Sequence, residues 1–170
     1  MELDVLLRSL EATPIATAIR EGSSLFPWIE ALHVLAISLV IGSIAILDLR
    51  LMGLASADRT VKLLMADALH CTLTAYGVAA LTGALLFSSR ALDYAHNSYF
   101  QAKFAFMILA GINMSVFHLF GTQDVERWGT PPNRTPLRAR LAGGVSLLLW
   151  IGVVTCGRWI GFTLERAIAG

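Results

Sequence analysis

Three of the four histidines, His33, His70 and His118, lie inside long apolar stretches, and only His96 falls in a polar turn. Ionisable groups at such depth normally face a bundle interior and serve a purpose. Counted along its helix, His33 sits roughly 9 Å inside one face of a bilayer and His70 a little over 10 Å inside the other. With roughly 30 Å of hydrocarbon between the faces, these two cannot share a small site. His70 and His118 enter from one face on consecutive antiparallel helices, at depths within about two turns of each other. Opposed imidazoles of this kind are the axial ligands of b-type haem packed in a four-helix bundle. The plainer reading, a histidine bonded to a backbone carbonyl or hydroxyl, stands beside it for each residue alone.

Alternating the direction of successive spans sorts the intramembrane polar residues into two layers. Glu30, His33, Lys103 and Arg158 fall on the side of the chain termini, and Asp48, Arg50, Asp67, His70 and His118 on the far side. Lys103 and Arg158 are placed to hold haem propionates or to snorkel to the headgroups. Asp67 is placed to receive the second ring proton of a metal-bound His70. Copper is the competing cofactor, because Met65 lies near His70 and Met114 one turn before His118, a soft set that suits Cu(I). No phosphate-binding glycine loop, paired-cysteine motif or serine beside a base is present, which leaves electron or proton transfer as the available chemistry.

The elements that must position these residues are read from hydropathy. At 56% hydrophobic and 15% charged residues, the chain departs from soluble domains, which are about a quarter charged. Four apolar runs, at about 27–51, 62–88, 99–120 and 137–162, are each long enough to span. The first covers about 25 residues, or roughly 37 Å of helix. Residues 1–22 carry apolar positions at helical spacing in runs too short to cross, broken at Thr13-Pro14, and predict two amphipathic helices lying at the interface. Pro131, Pro132 and Pro136 predict an extended connection before the last span. The fold class expected is therefore all-α: one four-helix transmembrane bundle with short N-terminal interfacial helices.

A net charge of +1 offers no field for nucleic acid. Nothing in the first 20 residues has the pattern of a cleavable signal, so the first span is expected to direct insertion. Arg50, Arg59, Lys62, Arg127, Arg134, Arg138 and Arg140 gather on the far side, against Arg90 in the short loop of the terminal side. The positive-inside rule then makes the far side cytoplasmic and puts both termini outside. Cys71 and Cys156 fall near opposite faces and are expected as packing residues, not a disulfide.

The run WIEALHVLAISLVIGSIAILDLRL resembles the first span of the HemJ family of bacterial membrane protoporphyrinogen oxidases and of CopD-like proteins. The residues that carry the likeness are Trp28, Ala31, Leu32 and His33 in a W-x-x-A-L-H opening, then Arg50 and Leu51; Lys103 followed by His118 is similar to a later K…H helix, over a longer interval. More closely, the chain resembles an uncharacterised family of small four-span bacterial proteins with the signature ALHVLAIS…GSI…DLRLMG. The HemJ resemblance implies haem b, with His33 at the functional position, so that one or two haems are expected, one per layer. The functional expectation is an inner-membrane electron-transfer protein or oxidoreductase subunit serving a quinone or a redox partner protein. A different expectation is a cofactor-free assembly partner or oligomeric scaffold within the lipid bilayer, its small-residue faces packed against copies of itself.

Overall fold

The computed structural model describes residues 2–54, 61–121 and 135–169, without the side chains at 61–63, 66, 67, 121 and 165–169. The described residues are helical almost throughout. Two short helices, α1 (Glu2–Glu11) and α2 (Pro14–Glu21), precede α3 (Leu25–Met52) and α4 (Val61–Ser89); then follow α5 (Ala91–His96), α6 (Ser98–Val116), a π-helical turn (Phe117–Gly121) and α7 (Leu137–Ala169). Helices α3, α4, α7 and α6 with its π turn are the four long and apolar enough to cross a membrane. This is a multi-pass membrane fold. The connection holding Pro131 and Pro132, most of the turn after α3, and the side chain of Asp67 lie outside the described residues.

Large apolar side chains cover the perimeter, including Leu35, Leu39, Ile108, Leu109, Leu148 and Ile151. The buried contacts are made instead by small residues such as Ala36, Ala75, Ala79, Ala110 and Ala139. In lipid there is no gain in hiding leucine from the solvent, so association rests on close backbone approach. Gly143 shows how close: a Cβ there would stand 2.9 Å from the carbonyl oxygen of Asp48. At Gly152 a Cβ would stand 3.2 Å from the Phe106 ring.

Helix α3 is the central element, packed along α4 on one side and α7 on the other, and α6 packs along α7. Antiparallel register between α3 and α4 is held by two side-chain bonds, His33 to Thr82 at 2.9 Å and Ser43 to Thr72 at 2.7 Å. Ten residues forward on α3 are matched by ten back on α4, so the pair runs without slippage. Among the described residues α4 and α6 share no extended packing. They approach where Phe87 stacks on Phe100 at 5.4 Å, which leaves a seam between them over the rest of their length.

The helix ends follow local chemistry. Gly53, at φ +79°, ends α3 with its N–H donated to the Arg50 carbonyl and that of Leu54 to the Leu49 carbonyl, a glycine-dependent stop. The Asn97 side chain accepts from the N–H groups of Tyr99 and Phe100 to start α6, and its amide donates to Thr163 at the end of α7. Breakage at Thr13-Pro14 falls where the sequence places it: Thr13 caps α2, and Pro14 occupies its first turn. The two short helices are clasped to the bundle end, because the Glu11 carboxylate accepts from the Leu92 N–H at 2.8 Å and Arg20 donates to the Ser89 carbonyl. Residues 91–96, expected as an open loop around His96, form the short helix α5 instead. The Glu11 carboxylate supplies the acceptor that its first turn requires.

Candidate functional site

At the terminal-side layer each spanning helix places a polar residue in one neighbourhood. His33 of α3 bonds Thr82 of α4; Lys103 of α6 lies within electrostatic range of His33 and of Cys156 on α7. Thr82 and Cys156 are buried, at 4% and 8% exposure, while His33 and Lys103 are half-buried. His33 reaches the interior because it continues the stripe of Ala36 and Val40, both buried, by which α3 packs on its neighbours. Room for the ring comes from Gly83, where a Cβ would stand 2.9 Å from His33 Cε1.

Hydrogen bonding selects the tautomer of His33. The Thr82 hydroxyl has one proton, donated to the Val78 carbonyl at 2.7 Å. It therefore accepts from Nδ1–H of His33. A neutral ring with its proton on Nδ1 carries an unprotonated Nε2, the form in which histidine ligates a metal. Among the described residues the Lys103 ammonium has no hydrogen-bond or ion-pair partner, so an unpaired amine stands within electrostatic range of the His33 ring.

One turn nearer the surface, the Glu30 carboxylate faces Tyr94 of α5. Burial first, and Glu30 second, push the Tyr94 phenol above its ordinary range. Arg158, expected near His33, lies two residues past buried Cys156, roughly 160° around α7 at 3.6 residues per turn. It is exposed, with its guanidinium over the Phe162 ring at 4.5 Å. This is a cation resting at the bundle perimeter.

The far-side layer is arranged differently. His70 precedes Ala75 by five residues and so sits roughly 140° around α4 from the face that packs on α3. It is exposed. His118 is also exposed, one residue past buried Phe117, with its Nδ1 bonded to the Met114 carbonyl at 3.0 Å within its own helix. The structure thus places Lys103 within electrostatic range of His33 and leaves both His70 and His118 exposed. Met114, half of the soft set considered for copper, is 50% exposed.

What the far layer buries is Asp48, at 4% exposure, and Arg50, at 3%. The Asp48 carboxylate lies near the side chain of Ser146 on α7. Its Oδ2 has no hydrogen-bond partner among the described residues.

A family model covers residues 22–163, all four spans and the site just described. The chain belongs to the family of unknown function DUF6644. Neither the curated proteins nor the solved structures contain a match to it. Family DUF6644 thus takes in the W-x-x-A-L-H opening together with Thr82, Lys103 and Cys156. Of these, Thr82 and Cys156 carried no distinguishing mark in the sequence. A threonine on an apolar helix usually bonds its own backbone, and a cysteine usually packs. The one available signal for Thr82 was spacing, since Thr72 and Thr82 stand ten residues apart on α4 as Ser43 and His33 do on α3.

Among the described residues no group of three or more His, Cys, Asp or Glu side chains is gathered as for a metal ion. A copper centre built wholly from protein donors requires such a group. Haem brings four nitrogen ligands of its own and asks the protein for one or two. The donor set at His33, a single imidazole with the Lys103 amine in electrostatic range, fits that smaller demand.

Proposed function

We propose that the protein is a membrane electron-transfer protein that holds b-type haem in the terminal-side layer, with His33 as its axial ligand. The observation that carries this is the bond of 2.9 Å between His33 Nδ1 and the buried Thr82 hydroxyl. With its own proton on the Val78 carbonyl, the Thr82 hydroxyl accepts from Nδ1–H and leaves Nε2 as the ligating atom inside a membrane bundle. Thr82 would orient the ring and strengthen it as a ligand, and Lys103 would neutralise a propionate at little cost because it lacks another partner. The seam between α4 and α6 offers the side from which a planar group could reach His33. When bound, haem supplies a one-electron couple, with a quinol or a redox partner protein as the electron donor. The resemblance of Trp28, Ala31, Leu32 and His33 to the HemJ and CopD-like opening supports the same ligand. The excess of arginine on the far side supports a bacterial inner-membrane topology with both termini periplasmic.

The test is the absorption spectrum of the purified protein and its variants. A Soret band that is lost in His33→Ala and retained in His70→Ala and His118→Ala is the expected result. Loss in His70→Ala and His118→Ala with retention in His33→Ala would move the ligands to the far layer and overturn the assignment. Colourless protein of unchanged fold would leave the cofactor-free scaffold as the better reading, and copper by elemental analysis would favour metal handling.

A further inference from the structure

At the terminal end of the bundle α1, α5 and the last turns of α7 border a cleft of about 620 Å³ that the His33 site does not use. Its depth is set by its lining. Leu164 closes the apolar stretch of α7, and Asn97 immediately precedes that of α6. The cleft therefore lies where a bilayer's headgroups begin.

Its wall carries charges of both signs. Asp4 is committed to His96, at 3.6 Å, and Asn97 to Thr163, at 2.8 Å. Arg8 of α1 and Asp93 of α5 are not committed: among the described residues neither side chain has a hydrogen-bond or ion-pair partner. Arg20, by contrast, is held by the backbone carbonyls of Glu11 and Ser89. A cation and an anion that line one space without neutralising each other are both satisfied by a zwitterion.

We infer that this cleft binds the headgroup of an ethanolamine phospholipid, with the phosphate on Arg8 and the primary ammonium on Asp93. A guanidinium presents a planar fork that matches a phosphate, and an ammonium brings three N–H donors to a carboxylate. Choline fits worse. It has no N–H to donate and is recognised by aromatic cages, and none of the lining residues is Trp, Tyr or Phe. An anionic glycerol headgroup would satisfy Arg8 but meet Asp4 and Asp93 without a cation of its own.

The experiment takes the full chain in detergent and measures retained lipid by native mass spectrometry and thermal unfolding. The added probes are short-chain phosphatidylethanolamine, phosphatidylcholine and phosphatidylglycerol, with soluble glycerophosphoethanolamine as a fourth arm. Phosphatidylethanolamine is expected to be retained best and to raise the unfolding temperature most. Arg8→Gln and Asp93→Asn should each lower its retention about tenfold, the worth of one charge-assisted hydrogen bond, whereas Asp93→Glu should keep it. Both replaced residues are exposed, so the variants fold. Equal retention of phosphatidylcholine, or retention unchanged in both variants, overturns the proposal. Glycerophosphoethanolamine binding as tightly as the lipid would overturn the lipid as the source. None of these readouts depends on a haem.

Discussion

The two polar layers of this bundle are made from similar residues on similarly apolar helices, yet they are built in opposite ways. On the terminal side the histidine faces inward, with a threonine for its proton, a glycine for its ring and a lysine beside it. On the far side the histidines face outward and the carboxylate of Asp48 is buried, one of its oxygens unpartnered. Depth in the membrane does not separate the cases. Angular position does: His33 lies on the stripe by which α3 packs, and His70 lies opposite the stripe by which α4 packs. An intramembrane histidine becomes a candidate ligand only when the packing stripe passes through it.

The largest effect is expected at the far layer, where α3 and α7 approach at backbone distance. In Gly143→Val the new atoms would meet the Asp48 carbonyl, which cannot rotate away as a side chain can. A loss of about 3 kcal/mol, the upper range for overpacking, should appear as early thermal unfolding in detergent. Stability like that of the parent protein would mean that α3 and α7 do not approach as described.

Thr82→Val probes the other layer at nearly constant volume. It leaves the His33 N–H without its hydroxyl acceptor, at a cost of about 1–3 kcal/mol, and Thr82→Ser should restore most of it. If the haem assignment holds, the Soret position should shift in Thr82→Val and return in Thr82→Ser. A purely structural bond would move the unfolding temperature alone.

A smaller effect is expected at Tyr94, in α5 between the spans. Its folded-state pKa is raised, chiefly by burial and then by Glu30. The stability gained by keeping the phenol neutral is whole below about pH 10 and is lost as pH rises through the raised value. Phenolate absorbance should show a late ionisation step that disappears in Tyr94→Phe. Persistence of that step would assign it to Tyr76 or Tyr99.

His70→Ala and His118→Ala should change stability least, by about 0.5 kcal/mol or less, as exposed positions usually do. A large loss in either would show that the far-side histidines are held by packing after all, and the contrast between the layers would weaken.

Four spans, two short N-terminal helices and the break at Thr13-Pro14 were legible in the order of residues alone. Each depends on local composition: run length against bilayer thickness, apolar spacing, and the backbone chemistry of proline. His33 and Lys103 were legible for the same reason, since charge within an apolar run stands out. Which polar residues would meet was not legible. The partner of His33 is 49 residues away on α4, and a threonine there resembles any other. Pairing His70 with His118 used depth, which rise per residue determines, without rotation about the helix axis. Rotation depends on where small residues let backbones approach, as at Gly83 and Gly143, and that is decided only when the helices pack.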